Sequence, residues 1–437
     1  MRKTGFSLLS LVAGVCLLQK AAFAQEAPAA PAAPAPAAAP AAAPAPAPAP
    51  APAAEAPAAP AAEAPAAAPA APPAPTYPLT TITGAIEGGY HRVLAAPHNV
   101  NFPVPTRAYD TSNGFQLHVA HLALKHQMNE HVYGVIEFDA GSDAKYNQGT
   151  NAGNTVAFGT EAPKTSAAPL FDVQEAYGVA TGEGLTFTAG KFVTYEGIEL
   201  VEGWTNPTVT RGFLYWLAEP VTHTGAKLHY TSGPVDVGIG VVNGWDTNNA
   251  IFNTADNNNQ KTLIWRLGYA SPQFFAGFSG TYGVEKPQDV DPRLSLDLTG
   301  GVVLDPSFTI NFQGNYGSEK HSDYLSSGAK AGSWFGFGIQ PVYKMDAFQV
   351  GARFEYFSDK GLSRTGFTQI NPQDTTGAFA NGKDKVGLWN FSIAPGYTIA
   401  SALLMRAEFR VDGANEEVLW NGKKTQTSLA LNAAYIF

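Results

Sequence analysis

The feature that most constrains the fold is the rhythm of the connections between short alternating segments that fill residues 80–437. Successive joins are alternately short and long. Short joins include Met128-Asn129-Glu130 and Asp305-Pro306-Ser307, and long joins include 141–170 and 194–221. Outer-membrane barrels have short periplasmic turns and long extracellular loops. The rhythm therefore predicts an all-β fold: a transmembrane, antiparallel, up-and-down β-barrel with both chain ends on the periplasmic side.

About sixteen strands are predicted, because sixteen segments alternate between apolar and polar side chains with the two-residue period of a β-strand. The predicted strands are 80–92, 115–128, 131–140, 171–181, 185–193, 222–231, 235–243, 261–270, 274–283, 293–304, 308–317, 333–343, 347–358, 386–399, 402–412 and 425–437. An even count lets the last strand pair with the first, so that no strand edge is left open in lipid.

The last segment, TQTSLALNAAYIF, shows the alternation most clearly. Leu429, Leu431, Tyr435 and Phe437 share one face, which is predicted to face lipid. Aromatic residues at that position suit the girdle at the membrane interface. Tyr435 and Phe437 are therefore predicted to form a terminal signal for the outer-membrane assembly machinery.

Composition agrees with a membrane barrel and excludes several other classes of protein. Only 14% of residues are charged, against about a quarter in soluble domains. The net charge of −9 argues against a nucleic-acid partner. The single cysteine, Cys16, lies in a predicted leader, so a disulfide scaffold and a thiol nucleophile are not expected.

Two segments precede the predicted barrel. Residues 1–24 have a basic start, an apolar core and an Ala22-Phe23-Ala24 cleavage site, which is typical of a signal peptide. Residues 25–79 begin with almost pure Ala and Pro, which favours a disordered, extended spacer in the periplasm. The spacer is either an inert tail or a tether that contacts the cell wall, and the sequence favours neither.

The third long connection, 194–221, is unlike the other loops because it combines aromatic residues with charges. A loop this apolar is predicted to fold inward and narrow the lumen; the alternative is an aromatic cap at the outer interface. Lys191, just before the loop, is expected to turn into the lumen. The candidates for lining or constricting the pore are Lys191, Glu196, Glu199, Glu202, Arg211, Glu219, Arg353, Glu355, Arg406, Glu408 and Arg410.

Further charged residues are predicted on lumenal strand faces. They are Glu87, Glu137, Asp139, Arg266, Asp297 and Asp412. No metal site is predicted, because His118, His121, His126 and His131 are spread over both faces of one hairpin. No cofactor is expected, and no catalytic motif such as G-x-S-x-G or H-E-x-x-H is present, so an enzyme is not predicted.

Several short motifs resemble the OmpL-like group of bacterial β-barrel porins. They are Gly190-Lys191-Phe192-Val193-Thr194 with Gly197 and Glu199, Pro220-Val221-Thr222-His223-Thr224-Gly225, Arg107-Ala108-Tyr109-Asp110 and Asn243-Gly244-Trp245-Asp246. The resemblance covers roughly residues 80–437. It implies an outer-membrane channel for small hydrophilic solutes and offers no catalytic residues. The Ala/Pro spacer lies outside it.

Two functions follow from these observations. The first is a porin in the cell outer membrane that lets small hydrophilic solutes and ions diffuse passively through a water-filled lumen. The acidic third connection motivates a mild preference for cations. The alternative is a structural or adhesive barrel held to the periplasm or cell wall by the spacer. Either barrel contacts lipid and lipopolysaccharide. Segment 171–181 has no clean lipid face, so its small residues could form the contact in a homo-oligomer.

Overall fold

The computed structural model describes residues 76–94, 114–147, 171–245, 258–285, 291–320, 331–361, 363–365, 385–416 and 424–437. The predicted signal peptide, nearly all of the predicted spacer and the motif Arg107-Ala108-Tyr109-Asp110 lie outside these residues.

Sixteen antiparallel strands form a closed barrel in which each strand pairs with its neighbours in sequence and β1 pairs with β16. The strands are β1 Leu79–Val93, β2 Gly114–Gln127, β3 Val132–Ala140, β4 Phe171–Gly182, β5 Leu185–Val193, β6 Thr222–Ser232, β7 Val235–Val242, β8 Thr262–Ala270, β9 Phe274–Gly283, β10 Arg293–Asp305, β11 Phe308–Glu319, β12 Gly332–Met345, β13 Phe348–Lys360, β14 Lys385–Ile399, β15 Leu403–Ala414 and β16 Thr425–Ile436. The predicted barrel is confirmed, and every predicted strand boundary is within two residues of the observed one.

The seam between the first and last strands closes the barrel. Ile86 pairs with Tyr435, and Tyr90 pairs with Leu431. Beyond the strand, the Gly84 and Phe437 backbones exchange two hydrogen bonds of 2.9 and 3.0 Å. Backbone groups that would otherwise form an open edge are therefore paired, which is the condition for a β-structure in lipid.

The two faces of each strand differ as the alternation predicts. Strand β7 is a clear case: Val235, Val237, Ile239 and Val241 are exposed on the outer surface, while Asp236 is buried on the inner side. An outer surface of large apolar side chains around a polar interior is the arrangement of a barrel in lipid. Among the described residues, no helix is long and apolar enough to cross a membrane.

Strand β4 has no regular lipid face because a β-bulge interrupts it. Its pairing with β3 shifts between Glu137 and Phe138, which leaves one extra residue, Gln174, beside Glu175. Both Gln174 and Glu175 are buried. A bulge moves the following side chains to the opposite face, so the outward residues change from Val173 before it to small residues after it. The ambiguity of this segment in the sequence has that physical cause.

Within the residues that the structure describes, three short helical turns lie in the connections on the long-loop side. Helix α1 covers Ser142–Asn147 after β3. Within the third long connection, a 3₁₀ turn covers Gly203–Thr205 and a π-helical turn covers Leu214–Ala218. The third connection is therefore partly structured, and its contacts decide where the charged side chains of the lumen lie.

Candidate pore site

The third connection, 194–221, is buried along most of its length. Thr208, Thr210 and Phe213 are 0% exposed, although connections between strands normally run over the surface of a protein. Its partners include side chains on the inner face of β1 and of β9 to β15, as the following contacts show. The name "third loop" is used below for residues 194–221.

Two arginines of β15 hold the backbone of the third loop. Arg406 donates from Nη1 to the carbonyl oxygen of Asn206 at 2.8 Å. Arg410 donates from Nη1 to the carbonyl oxygen of Arg211 at 2.6 Å. Loop carbonyls in an irregular segment lack strand partners, so the guanidinium groups satisfy acceptors that would otherwise be buried without a donor.

Arg353 of β13 makes the densest set of contacts with the same loop. It donates to the carbonyl oxygen of Thr210, to Oγ1 of Thr208 at 2.8 Å and to Oε1 of Glu199 at 2.6 Å. Its side chain is fully buried. Because the planar guanidinium presents five donors in a fixed geometry, one arginine joins a strand to three loop residues.

Carboxylates on the same strands accept from loop amides. Glu408 accepts from the amide nitrogen of Thr210 at 2.7 Å and from its hydroxyl at 2.5 Å. Glu355 accepts from the amide of Phe213 at 2.6 Å. Between these contacts lies Gly212, where a Cβ would come within 2.0 Å of the Glu355 carboxylate. A side chain at Gly212 would therefore displace the Glu355 carboxylate that accepts from the loop.

Each of the three arginines also has a carboxylate partner. Arg353 pairs with Glu199 at 2.6 Å, and Arg410 pairs with Asp412 at 2.7 Å. Arg406 pairs with Glu87 of β1 at 2.8 Å. Their positive charge is thereby neutralised inside the barrel wall, because a buried ion needs a nearby opposite charge.

An apolar cluster inside the barrel continues the loop contact beyond Gly212. Phe213, Leu214 and Leu217 pack with Trp334 of β12 and Phe357 of β13. The cluster includes further side chains from β1, β14 and β15: Val93, Val386, Leu388 and Ala414. Burial of large apolar side chains stabilises their contact by roughly 1.5–3 kcal/mol each, so the π-helical turn is held by packing as well as by hydrogen bonds.

The two ends of the third loop meet on strands β10 and β11. Gly197 donates its amide to Asp297 of β10 at 3.1 Å, and Gln313 of β11 donates to both Glu219 at 2.6 Å and Asp297 at 2.8 Å. Glu196 accepts from the Ser295 hydroxyl at 2.5 Å. Three carboxyl groups therefore lie together in one buried region of the lumen: those of Glu196, Glu219 and Asp297.

Burial changes the acidity of the loop carboxyls there. Burial and the charge of Asp297 raise the pKa of Glu196 to about 8. The same two causes raise the pKa of Glu219 well above its ordinary value. Removing a carboxylate from water disfavours its charged form, and a like charge nearby adds to the effect.

The family of the chain follows from its sequence as well as from this barrel. The family model described as "putative beta-barrel porin-2, OmpL-like" matches residues 80–437. The chain belongs to this family. The resemblance seen in the short motifs is thereby confirmed, and the porin lies in the bacterial outer membrane.

Solved structures of outer-membrane proteins share the fold of the porin. The outer membrane channel DcaP of Acinetobacter baumannii matches with a TM-score of 0.53 at 11% identity, covering 82% of this chain and 97% of that one. An anion-selective porin from Comamonas acidovorans matches with a TM-score of 0.53 at 9% identity, covering 82% and 99%. A loop-deletion mutant of OmpT, an outer membrane protein of Vibrio cholerae, gives 0.50 at 11%, covering 82% and 99%. No curated protein sequence matches the porin. At these identities the structural likeness concerns the fold alone.

A second set of charges lies on β3 and β4 of the porin. Glu137, Glu175 and Glu202 are buried, and one carboxylate oxygen from each lies within 4.8 Å of the others. Glu202 comes from the third loop and the other two come from the barrel wall. Glu175 also accepts from the amide of Val193 at 2.8 Å. The group has the residue types of a cation site, although the histidines do not join it.

Glu137, Glu175 and Glu202 are called the acidic wall below. The cationic side chains near this wall form ion pairs with other carboxylates. Lys191 lies 3.1 Å from Asp172, and Nδ1 of His121 lies 2.7 Å from Asp139. The Lys191 ammonium is thus held by a lumenal carboxylate, in agreement with the expected inward turn. His126, by contrast, is exposed and bonds Thr80 at 2.8 Å.

Arg211 of the third loop reaches a residue that the sequence did not single out. Its Nη1 is 3.5 Å from Oδ2 of Asp143 in α1, and it donates from Nε to the carbonyl oxygen of Leu200 at 3.2 Å. Burial raises the pKa of Asp143 to about 7, against the opposing effect of Arg211. The sequence placed Asp143 in a long loop, where nothing indicated a buried partner.

Other residues were also missed. Gln313 and Asn315 join Asp297 to the loop or to the apolar cluster, since Asn315 donates to Asp297 at 3.0 Å and accepts from Trp334 at 3.0 Å. Their signal was present, because both lie on the polar face of β11. Thr208 and Thr210 gave no signal, since their role depends on contacts with distant strands.

The predicted assembly residues lie on the outer surface. Tyr435 and Phe437 are 49% and 50% exposed, and their rings stack with centroids 5.9 Å apart. Phe437 also packs against Gly84, where a Cβ would meet its ring at 2.6 Å. The aromatic pair is therefore next to the seam that closes the barrel.

Proposed function

We propose that the porin lets small hydrophilic solutes and ions diffuse passively through the part of the lumen that the third loop leaves open. No covalent step is needed for this activity. The inward contacts of the third loop support a constriction at its level. Narrowing by a loop and a ring of charge is a general way to set selectivity in a channel.

The observation that carries the proposal is the separation of lumenal charges, with arginines on β13 and β15 and a group of acidic residues on β3, β4 and the loop. Arg353, Arg406 and Arg410 are each bound to a carboxylate and to loop carbonyls. Acidic residues gather on another part of the wall, where Glu137 of β3, Glu175 of β4 and Glu202 of the loop lie together. The field along the passage is then negative, and we expect a mild preference for cations.

Planar-bilayer recordings in a salt gradient test this function. The expected result is discrete conductance steps with a reversal potential on the cation-selective side. Anion selectivity would contradict the preference for cations, and silence at every voltage would contradict the channel itself. A Glu130→Gln variant, changed only at an exposed short turn, is the matched control and should behave as the unchanged porin.

A structural or adhesive barrel with a closed lumen is the second candidate. The tight burial of lumenal side chains favours it, since Arg353, Arg410 and Asp412 are 0% exposed. Liposome swelling in small sugars separates the two functions. Swelling supports the porin, whereas no swelling together with single-channel silence supports the closed barrel.

The N-terminal segments and the partners complete the proposal. Residues 1–24 would be removed as a signal peptide, and the Ala/Pro spacer would extend into the periplasm as a tether to the cell wall. A peptidoglycan pull-down with and without residues 25–75 tests the tether, and equal retention would reject it. The outward small residues of β4, Gly178 and Ala180, are the proposed contact of a homo-oligomer, which cross-linking in membranes would test.

Tyr435 and Phe437 are proposed to engage the outer-membrane assembly machinery. Their exposed, stacked rings beside the closing seam support this role. Deleting Phe437 should lower insertion into the membrane more than it lowers secretion. Insertion of the shortened chain at the unchanged level would reject the role.

A further inference from the structure

The cluster of three carboxyl groups at the base of the third loop has an unusual composition. Glu196 and Glu219 stand near the two ends of the loop, and Asp297 of β10 lies between them. The hydrogen bonds to them come from neutral groups, namely the Gly197 amide, the Ser295 hydroxyl and the side-chain amides of Gln313 and Asn315. Three carboxyl groups are thus brought together without a cation bonded to any of them among the described contacts.

The charged groups around this place do not offset the accumulated negative charge. Glu199, from the loop itself, adds further negative charge at Glu219. Arg266 of β8 is the cation whose charge reaches Asp297. Arg266 is already paired with Asp236 of β7 at 3.0 Å. Strand β9 contributes the neutral Thr281 toward Glu196.

The backbone of the loop forces the carboxyl groups together. Gly197 has φ of +91°, and a Cβ there would lie 2.1 Å from a carboxylate oxygen of Glu219. The positive φ favours glycine, and an added Cβ would displace the Glu219 carboxylate from its place beside the loop. Moreover, Oε1 of Glu196 is buried and has no hydrogen-bond partner. A protonated carboxyl tolerates such a site, whereas an ionised Glu196 would have the Ser295 hydroxyl as a donor but the negative charge of Asp297 beside it.

We propose that Glu196, Glu219 and Asp297 form a proton-operated latch, which holds the base of the third loop against β10 and β11 when protonated and releases it on deprotonation. The latch adds regulation to the proposed channel, since a loop released at its base would widen the passage. Acidic surroundings would then favour the narrow state, and neutral to alkaline surroundings the wide one.

The direction of the pH dependence follows from linkage. The held state has a Glu196 pKa of about 8, against 4.5 for the carboxyl in water. The held state therefore binds the proton more tightly, and it is favoured most below pH 4.5. The part of this advantage that Glu196 contributes falls as pH rises from 4.5 to 8, and Glu219, whose pKa is raised by the same causes, adds to the fall. Within that range, each proton lost shifts the equilibrium by up to about tenfold per pH unit.

Hydrogen exchange of the full-length porin in lipid vesicles tests the latch without reference to conduction. Backbone protection of 194–221 is measured from pH 5 to pH 9 and corrected for intrinsic exchange rates. Protection should fall progressively as pH rises over this range. In the double variant Glu196→Gln, Glu219→Gln, which imitates the protonated groups, protection should stay high and independent of pH. Glu130→Gln is the control and should keep the unchanged profile.

The results that overturn the latch are equally definite. They are protection of 194–221 that does not change with pH in the unchanged porin, or a double variant that keeps the unchanged profile. If the double variant assembles poorly, the profile of the unchanged porin and that of Asp297→Asn still decide.

Bilayer conductance over the same pH range tests the effect on the channel and rests on the proposed function. Conductance should rise with pH and lose that dependence in the double variant. Silence at every pH together with pH-dependent protection would reject the channel and keep the latch. Conductance together with pH-independent protection would reject the latch and keep the channel.

Discussion

The third loop is held at two places whose chemistry differs. On β13 and β15, Arg353, Arg406 and Arg410 donate to loop carbonyls. On β10 and β11, the loop is held by carboxyl groups and amides around Asp297. We call these the arginine anchor and the carboxyl anchor. Arginine stays charged at every physiological pH, so the first anchor is permanent, whereas the second depends on protons.

The difference explains how one loop can be both fixed and adjustable. The arginine anchor and the apolar cluster around Phe213 and Trp334 hold the middle of the loop. The carboxyl anchor holds its two ends, which are the points where the loop leaves the barrel wall. Release at the ends would change the width of the passage without expelling the loop from the lumen. The following predictions test this division.

The largest effect is expected at the arginine anchor. Arg353→Ala removes the donors to Thr210 and Thr208 and leaves Glu199 buried without its counter-charge. Breaking a buried ion pair by removing one partner costs about 3–5 kcal/mol. Urea unfolding in detergent measures the loss. Arg92→Ala, at an exposed arginine of β1, is the control, with an expected change within about 0.5 kcal/mol. Equal losses of unfolding free energy in the two variants would show that Arg353 does not anchor the loop.

A smaller effect is expected where the arginine anchor depends on shape. Gly212→Ala places a Cβ 2.0 Å from the Glu355 carboxylate, and overpacking of this kind costs about 1–3 kcal/mol. Gly314→Ala is the matched control, because nothing lies within 4 Å of its added Cβ. Hydrogen exchange should show loss of protection in 194–221 for the first variant and not for the second. Equal protection in both would mean that the loop does not rest closely on β13.

Ion selectivity tests whether the positive charges of the arginine anchor are neutralised by the carboxylates paired with them. If it does, carboxylates on β3 and β4 set the field in the passage. Glu137→Gln with Glu175→Gln should then lower the cation-to-anion permeability ratio by about fivefold or more, since two charges, each roughly 8 Å from an ion, together contribute about 1 kcal/mol in water. Reversal potentials measure the ratio, with Glu130→Gln as control. An unchanged ratio would place the passage away from the acidic wall.

The two anchors were not equally visible in the sequence. The inward direction of Arg353, Arg406 and Arg410 follows from strand alternation, which is a local property. Their loop partners do not, because carbonyl acceptors carry no residue signature and the contacts join positions far apart in the chain. The amide donors of the carboxyl anchor, Gln313 and Asn315, lie on a visible polar face, but only the fold brings Glu196 and Glu219 to them.

Two further features show where alternation stops being informative. The bulge at Gln174 adds one residue to β4 without changing its composition, so the change of face could not be located. The apolar cluster inside the barrel was missed because apolar residues were assigned to lipid. Adjacent large side chains near the ends of three strands are the signal that was available: Trp334 with Phe335, Tyr356 with Phe357, and Leu388 with Trp389. Two apolar neighbours on one strand must point to opposite faces, so one of each pair had to lie inside.

The smallest effect is expected at Asp143, where an arginine and a titrating carboxyl meet. Burial raises the pKa of Asp143 to about 7 although Arg211 lies 3.5 Å away. The ionised form is therefore disfavoured in the folded porin, and stability falls as pH rises from 3.8 to 7. Asp143→Asn should be stabilising, and by more at pH 9 than at pH 5, because the variant has no carboxyl group whose ionisation is disfavoured by burial. Urea unfolding at both pH values measures this, with Asp305→Asn at an exposed turn as control. If Asp143→Asn is less stable than the unchanged porin at pH 9, Arg211 does hold an ionised partner. The arginine anchor would then extend to α1, and the division between a permanent and a proton-dependent anchor would have to be redrawn there.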